Sequence, residues 1–410
     1  MTEDAAKSGQ PEAQEPSPVD RWLDRMRGYH CFPQDTVRAL SAHIVGQPEA
    51  IDVMTVQIRQ QVRRLQAAIA SGTWTHVADR REMRPCVLVG PSGCGKTALA
   101  ALAARISGFS HVTEDCTGQT AVGWVGRSAS DIVASLIHAS HSSPTMAAWS
   151  CVVLDECDKL KQRTAHGNSD IGGIEAQQQL LTLVEGSTVA CEYPTSGPRE
   201  ARTSFTFGTG NTLLTCCGVF DELEEIIRRR LGMSRRIGFG ATSEPAGAEE
   251  SYDTLCQVEP EDLVQFGMIP EFVGRLGEIV IMRPLGREQL RDILMLEADE
   301  APLQVLRRAA EREGVRLVVT DGLIDAVVTE AERRGLGARA LGSVLARITR
   351  RLFLEVPTRV NPCCTGTYTV ELDADAMVDG TFKLSYRDAR SPRRRRSSGY
   401  VTPDDLEAEA

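Results

Sequence analysis

The chain contains a glycine-rich stretch whose residue types and spacing suit the binding of phosphate. It follows a short apolar run that ends at Val89, and its residues are Gly90, Pro91, Ser92, Gly93, Cys94, Gly95, Lys96 and Thr97. Such a turn lets successive backbone N–H groups converge on phosphate oxygens, and the helix predicted to begin at Thr97 adds partial positive charge. The Lys96 ammonium can reach the outer phosphates, while the Thr97 hydroxyl can bind Mg²⁺. The pattern predicts a nucleoside-triphosphate site.

A second apolar run further along the chain ends in paired acids, Asp155 and Glu156. A continuous apolar run between polar flanks is typical of a buried parallel strand. Carboxylates at the carboxyl end of such a strand lie where open α/β sheets bind ligands. Asp155 can hold Mg²⁺, and Glu156 can orient and deprotonate a water molecule that attacks the γ-phosphate. The two motifs together predict that the chain hydrolyses ATP.

Composition limits the class of protein. The chain has 410 residues, of which 42% are hydrophobic, so two or three domains with ordinary cores are expected. The net charge of −10 argues against general affinity for nucleic acid. No apolar run approaches the length of a membrane span, and the N-terminal residues are polar and acidic, unlike a signal peptide. Twelve cysteines are scattered without a C-x-x-C pair, and those in predicted buried strands include Cys86, Cys151 and Cys216. This pattern favours reduced core thiols in a cytoplasmic protein.

The order of apolar and polar segments predicts four regions of an α/β protein. A large domain with a parallel sheet is followed by a smaller, mostly helical domain, which is expected to end in a hairpin of two strands, Tyr368–Leu372 and Phe382–Tyr386. Both ends of the chain are expected to be disordered. The predicted regions are a leader at 1–30, the large domain at 31–283, the small domain at 284–387 and an Arg-rich, then acidic, tail at 388–410.

From about Ile44 to about Tyr386 the chain resembles the AAA+ module of the ClpX protein unfoldases. Short motifs in the order and spacing of that family carry the resemblance, and together they are highly specific. They are Ile44-Val45-Gly46-Gln47, Gly123-Trp124-Val125-Gly126, Ile237-Gly238-Phe239-Gly240-Ala241, Pro270-Glu271-Phe272-Val273-Gly274-Arg275 and Gly337-Ala338-Arg339. The resemblance implies an AAA+ P-loop NTPase fold with a small C-terminal domain that carries the last motif.

For the nucleotide site, the resemblance implies that Ile44 and Val45 line an adenine pocket beside the glycine-rich loop and Ala98. It implies that Arg275 is an arginine finger that reaches the γ-phosphate of a neighbouring subunit. Arg339, in the small domain, would sense the γ-phosphate of the nucleotide bound to its own chain. Negative charge that develops on the transferred phosphoryl group is stabilised by such cations.

For partners, the resemblance implies that Trp124 and Val125 lie on a pore loop that grips substrate polypeptide. The family usually has tyrosine at the position of Trp124, and tryptophan keeps the flat apolar surface without the hydroxyl. Ile237, Gly238 and Phe239 would dock onto a ClpP-type peptidase.

The sequence departs from the family in three places. ClpX proteins commonly carry an N-terminal zinc-binding domain with two C-x-x-C pairs, whereas residues 1–45 hold only Cys31. Docking of adaptors and substrates through that domain is therefore not expected. The family has a basic cluster at the pore entrance, whereas the corresponding stretch, Pro194 to Arg202, has two arginines opposed by Glu200. The resemblance does not explain the tail at 388–410.

The sequence thus predicts a homohexameric ATPase that uses ATP and Mg²⁺ to unfold tagged or unfolded proteins and to thread them into a ClpP-type peptidase. No protease residues are found, and neither membrane nor nucleic acid is an expected partner. Two alternatives stay open. One is a HslU-like unfoldase, against which the Ile237–Ala241 loop and the lack of a long inserted domain count. The other is a non-proteolytic remodelling ATPase, which the missing zinc module and the altered pore entrance favour.

Overall fold

The computed structural model describes residues 16–78, 80–117, 119–120, 123–124, 128–161, 164–165, 168–169, 171–194, 202–233, 248–360 and 366–387. The strands are β1 (Cys86–Val89), β2 (His111–Asp115), β3 (Gln119–Thr120), β4 (Gly123–Trp124), β5 (Cys151–Asp155), β6 (Thr164–Ala165), β7 (Asn168–Ser169), β8 (Thr188–Pro194), β9 (Arg202–Gly208), β10 (Leu213–Gly218), β11 (Ile279–Ile281), β12 (Val315–Val319), β13 (Thr367–Leu372) and β14 (Lys383–Arg387).

The helices are α1 (Pro18–Gly28), α2 (Pro33–Ser41), α3 (Pro48–Ala70), α4 (Lys96–Ile106), α5 (Ala129–Ala139), α6 (Pro144–Ala148), α7 (Ile171–Glu185), α8 (Leu223–Arg230), α9 (Ala248–Leu255), α10 (Pro260–Phe266), α11 (Pro270–Val273), α12 (Arg287–Met295), α13 (Pro302–Arg312), α14 (Asp321–Arg334), α15 (Ala338–Arg359) and α16 (Ala376–Asp379). None of the helices in the described part of the chain is both long and apolar enough to cross a membrane.

The large domain is built on a five-stranded sheet with the order β11-β1-β10-β5-β2, in which every pairing is parallel. Strands β1 and β10 are buried along their whole length because helices cover both faces of the sheet. Successive residues of β1 enter opposite cores: Val87 and Val89 pack on one side, and Cys86 and Leu88 on the other. The predicted parallel sheet of an α/β domain is confirmed, and so are the buried positions of Cys86, Cys151 and Cys216.

The prediction of a disordered leader over residues 1–30 is wrong for residues 18–28, which form α1. Ser17 and Asp20 form a capping box at its start. Its buried Trp22 packs in the core that also contains α3 and α4, and the Trp22 indole N–H donates to the Gly108 carbonyl at 3.1 Å. The polar composition of the segment hid a helix that tertiary packing stabilises. Residues 1–15 lie outside the described residues, as do residues 388–410.

The second domain packs α12 to α16 around a small sheet with the order β12-β13-β14. The apolar faces of α14 and α15 are buried, including Val327 and Leu341, so the predicted helices of this domain form its core. The predicted hairpin is confirmed, because β13 and β14 are antiparallel and Tyr368 faces Tyr386. Strand β12, parallel to β13, was not predicted, since its run is short and its partner lies far along the chain.

Candidate nucleotide-binding site

The glycine-rich stretch forms a turn between the end of β1 and the start of α4. Gly93 and Gly95 have φ values of 75° and 103°, which side chains of L-residues rarely allow. A Cβ at Gly90 would lie 2.9 Å from the Met282 carbonyl oxygen, so close packing also excludes a side chain there. The turn places the N-terminal end of α4 beside the carboxyl ends of β1 and β5. A phosphate site requires this arrangement.

Lys96, the first residue of α4, is buried and bends back over the loop. Its ammonium donates to the carbonyl oxygens of Gly90 and Pro91 at 2.7 and 2.9 Å. These contacts hold the charge of Lys96 inside the concave face of the loop, where the outer phosphates of a nucleotide would lie.

The carboxyl end of β5 lies beside the start of α4. The Thr97 hydroxyl donates to a carboxylate oxygen of Asp155 at 2.8 Å. The two motifs that the sequence places far apart therefore meet through these two side chains. A hydroxyl and a carboxylate at this spacing are hard oxygen donors of the kind that Mg²⁺ prefers.

Glu156 follows Asp155 in an unusual backbone conformation. Its φ is 55° and its ψ is 36°, in the left-handed region, and its N–H donates to the other Asp155 carboxylate oxygen at 3.0 Å. The 3₁₀ turn after it, Cys157–Leu160, is tied to the end of β10, because buried Asp158 accepts from the Val219 N–H at 3.1 Å. Strain at a non-glycine residue is maintained where the surroundings fix the backbone, which fits a side chain that must point in one direction.

Two thiols near the charged groups stay neutral. Burial raises the pKa of Cys94, although the charge of Lys96 opposes this shift. Burial also raises the pKa of Cys217 in β10, and the negative charge of Asp155 raises it further. Neither thiol is therefore a thiolate competitor for a cation at Thr97 and Asp155.

A cavity of about 330 Å³ adjoins the phosphate loop and lies between the two domains. Its walls are mainly apolar, as expected for a pocket that holds a flat base. The residues predicted to bind nucleotide that line it are Ile44, Val45, Gly93, Cys94, Gly95 and Ala98, and the second domain contributes Ile293, Leu296 and Ala338.

Gln47 is a residue of this site that the sequence did not single out. Its side chain is buried, and its amide exchanges two hydrogen bonds of 2.9 Å with the backbone of Arg283, while also donating to the Cys94 carbonyl at 3.4 Å. Gln47 thus ties the phosphate loop to the segment that joins the domains. Its place at the end of the Ile44-Val45-Gly46-Gln47 motif was the available signal.

The turn between α14 and α15 rests directly on the phosphate loop. The Ala338 N–H donates to the Gly93 carbonyl at 3.1 Å, and the Arg339 guanidinium is 3.5 Å from the Ser92 hydroxyl. Gly337 packs so closely against the phosphate loop that a Cβ at this position would lie 2.8 Å from the Gly93 carbonyl oxygen. The structure therefore brings Arg339 to the phosphate loop of its own chain.

A second contact between the domains lies at the edge of the cavity, and the sequence did not predict it. Arg105 at the end of α4 forms two hydrogen bonds with Glu300, of 2.5 and 3.0 Å. This ion pair lowers the pKa of Glu300, chiefly through the hydrogen bond from Arg105. Each residue alone has no sequence pattern that marks it, because the pair forms only when the domains meet.

Arg275 lies elsewhere in the molecule. It follows α11 and forms an ion pair of 2.9 Å with Glu185, the last residue of α7, and its side chain is 56% exposed. The structure thus separates the predicted arginine finger from the phosphate loop of the same subunit. Glu185 was not predicted as its partner.

The predicted partner-binding residues are only partly described. Trp124 lies in β4, which pairs with β3 in a hairpin, with Gln119 opposite Trp124. Val125 and the loop of Ile237, Gly238 and Phe239 lie outside the described residues. Of the predicted pore-entrance stretch, only its two end residues are described: Pro194 at the end of β8 pairs with Arg202 at the start of β9. The roles of these residues stay predictions.

Comparison with known proteins agrees with this geometry. Residues 86–241 match the family described as ATPase family associated with various cellular activities (AAA). The chain is similar to the ATP-dependent Clp protease ATP-binding subunit ClpX 3 of Methylococcus capsulatus, with 33% identity over 367 residues that cover 86% of this chain and 83% of that protein. The identity extends over most of both chains, and the family match includes the phosphate loop and the Asp155–Glu156 pair. The chain therefore belongs to the ClpX family of AAA+ ATPases.

Proposed function

We propose that this chain is an ATP-driven unfoldase that assembles as a homohexameric ring, threads protein substrates through a central pore and delivers them to a ClpP-type peptidase. The observation that carries the proposal is the meeting of both domains at the phosphate loop, through Ala338 on Gly93 and Arg339 on Ser92. A nucleotide bound in that loop would touch both domains. Loss of its γ-phosphate would change the contacts that hold them together, which is how hydrolysis can drive motion.

The residues at the loop suit the hydrolysis of ATP. The backbone of the loop, the Lys96 ammonium and the start of α4 would bind the phosphates. Thr97 and Asp155 would hold Mg²⁺, which neutralises phosphate charge when bound. Glu156 would deprotonate the attacking water, and Arg339 would stabilise the γ-phosphoryl group from within the subunit.

Arg275 would complete the site from the neighbouring subunit. Its ion pair with Glu185 and its exposure leave it accessible at the surface of an isolated subunit. A cation that arrives only on assembly would make hydrolysis depend on the ring.

The partner assignments extend the family resemblance to this chain. The relative from Methylococcus capsulatus is named as an ATP-binding subunit of Clp protease. By analogy, Trp124 and Val125 would contact the threaded polypeptide, and Ile237, Gly238 and Phe239 would dock on the peptidase. The chain itself would cleave no peptide bonds.

Degradation of a fluorescent, tagged and unfolded reporter tests the proposal. The full chain is mixed with a ClpP-type peptidase with and without ATP, and wild type is compared with Phe239→Ala. Truncation of an aromatic anchor costs on the order of 2 kcal/mol, about thirtyfold in affinity for each loop. We expect degradation to collapse in Phe239→Ala while ATPase activity is kept, because none of the residues that we assign to ATP binding or hydrolysis belongs to this segment. Phe32→Ala removes an exposed phenylalanine outside the loop and serves as the control.

The same assay examines the alternatives. The pore-entrance stretch carries Glu200 between Arg199 and Arg202, which weakens its attraction for carboxylates and favours a remodelling ATPase without a peptidase. If wild type hydrolyses ATP and unfolds the reporter but never binds the ClpP-type peptidase, that second function replaces the first. Degradation only with a peptidase of another type would instead support the HslU-like alternative.

A further inference from the structure

A groove of about 280 Å³ lies on the second domain between α15 and α16, away from the phosphate loop. Gly380 ends α16 with a φ of 73° and approaches α15 so closely that a Cβ there would lie 2.9 Å from the Ile348 carbonyl oxygen. This contact fixes the two helices and so forms the groove before any ligand binds. Two apolar side chains on its walls are left in solvent: Leu354 is 71% exposed and Val378 is 91% exposed.

Arginines surround these apolar side chains. Arg347, Arg350 and Arg351 all line the groove, together with one carboxylate, Asp379. Within the part of the chain that the structure describes, Arg350 has no ion-pair partner. Arg347 forms a long ion pair there, with 3.8 Å between its guanidinium and Glu330.

The nearby carboxylates do not neutralise this charge, because they are shared. Glu330 is also paired with Arg333 and Arg334 at shorter distances. Glu355, the partner of Arg351, is also bound by Arg359 at 2.7 Å. The groove therefore carries an excess of positive charge next to apolar surface, a combination that fits an acidic peptide with an apolar residue.

The chain itself contains such a segment. Residues 404–409 read Asp-Asp-Leu-Glu-Ala-Glu, in which four carboxylates surround Leu406. The segment follows β14, and β14 comes directly after α16 and Gly380. The roughly 16 residues between β14 and Asp404 span up to about 50 Å when extended, whereas a domain of about 100 residues has a radius of gyration of about 13 Å.

We propose that the acidic segment 404–409 binds in the arginine-lined groove of its own chain, with Leu406 against Leu354 and Val378. Attachment to the same domain raises its effective concentration to the millimolar range, so weak contacts suffice. The Arg393–Arg396 run is separated from the segment by seven residues, an average of roughly 15 Å for a flexible chain, which exceeds the Debye length of about 8 Å at physiological salt. A nucleic-acid backbone would match the arginines but not the apolar side chains between them.

Photo-crosslinking in the full chain tests this contact. Val378→p-benzoyl-phenylalanine places the probe in the groove, and Val305→p-benzoyl-phenylalanine places it at an exposed valine of α13 outside the groove. Trypsin releases residues 397–410 as one peptide, since they contain no Lys or Arg. We expect this peptide to be linked to position 378 within single chains, and not to position 305.

Charge variants then identify the contact. We expect Arg350→Glu to lower the yield of the crosslink between position 378 and the tail peptide by about two- to fivefold. Replacement of the four tail carboxylates by their amides should lower this yield by a similar factor. The combined variant should fall no further than either, because each removes the same attraction. Arg316→Glu, at an exposed arginine of β12, should leave the yield unchanged.

Three outcomes would overturn the proposal. A tail crosslink found only in species of two-chain mass would mean that the groove holds a second copy. Equal crosslinking from positions 378 and 305, or a yield insensitive to Arg350→Glu, would mean that the tail does not bind the groove. Neither measurement requires ATP hydrolysis or a peptidase.

Discussion

The phosphate loop and the region around Arg275 are built in different ways. The second domain contacts the phosphate loop through the backbone, where the Ala338 N–H donates to the Gly93 carbonyl, and the half-buried side chains of Thr97 and Asp155 meet beside the loop. Arg275, in contrast, is half exposed and is held by one ion pair with Glu185. The contacts of the phosphate-loop region form within one subunit, whereas the Arg275 region presents a cation at the surface of the subunit.

This difference indicates a division of labour between binding and hydrolysis. Contacts that are buried and preorganised can bind nucleotide in a single subunit. A surface arginine can contribute to a phosphate site only when another molecule is brought against it, as arginine fingers do. We therefore expect the effect of a mutation at Arg275 to depend on the assembly of subunits. The effect of a mutation at the phosphate loop on nucleotide binding should be the same in single subunits.

Arg275→Ala gives the sharpest contrast. We expect ATP hydrolysis by the assembled protein to fall by about 10³-fold or more, because an arginine finger stabilises transition-state charge. Binding of a fluorescent ATP analogue by dilute subunits should stay within twofold of wild type, since Arg275 does not contact the phosphate loop. Steady-state turnover and fluorescence titration measure the two quantities.

Mixing Arg275→Ala subunits with Glu156→Gln subunits tests whether the finger acts between chains. Some interfaces of a mixed ring would join an intact Glu156 to an intact Arg275, so activity should reappear. If the mixture stays as inactive as its components, Arg275 acts within its own subunit and the contrast between the regions fails.

Glu156→Gln alone tests the region around the phosphate loop. We expect hydrolysis to fall by about 10²- to 10⁴-fold, because the general base is lost. ATP should still bind tightly, since Lys96, Thr97 and Asp155 are unchanged. Glu222→Gln, which removes a surface carboxylate paired with Lys161, is the control for loss of a nearby charge. Near-normal turnover in Glu156→Gln would show that another residue is the base.

Much of the nucleotide site could be predicted from the sequence because its parts are local. The turn from Gly90 to Thr97 and the strand before Asp155 are each specified by neighbouring residues, and the parallel sheet brings their ends together. The contact of Arg339 with the loop was expected only from family resemblance. Neither the spacing nor the types of the residues in α15 indicate that this helix contacts a loop in the other domain.

The contacts that were missed join residues that are distant in the chain. Arg105 and Glu300, and Arg275 and Glu185, are ordinary charged residues of amphipathic helices or of the ends of helices, and nothing in their spacing marks them as pairs. The leader helix α1 was missed for a related reason, since its stability comes from packing of Trp22 and Met26 in the core.

Gly337→Ala tests the contact between the domains. The new Cβ would lie 2.8 Å from the Gly93 carbonyl oxygen, and the φ of 55° adds strain, so the α14–α15 turn must move off the loop. We expect kcat/KM for ATP to fall by roughly tenfold or more, because Arg339 moves with the turn. Gly335→Ala is the control for a positive φ without contact: its φ is 65°, with a ψ of 17° compared with −145° at Gly337, and no atom lies within 4 Å of a Cβ there. Equal kinetic losses in both variants would attribute the effect to backbone strain instead of contact with the loop.

Glu185→Gln should have the smallest effect and concerns the exposed region alone. A guanidinium has five N–H donors, more than one carboxylate accepts from, so donors of Arg275 remain for a phosphate while Glu185 holds its orientation. Exposed ion pairs contribute about 0.2–1 kcal/mol, so hydrolysis by the assembled protein should fall by about 1.4- to 5-fold with unchanged nucleotide affinity. Glu225→Gln is the control, because it removes an exposed carboxylate paired with Arg229. We expect it to change neither the rate of hydrolysis nor the nucleotide affinity. A rise in hydrolysis would instead mean that Glu185 withholds Arg275 from the neighbouring site. An unchanged rate would mean that the pair does not orient the arginine, and the Arg275 region would then depend on the ring alone for its geometry.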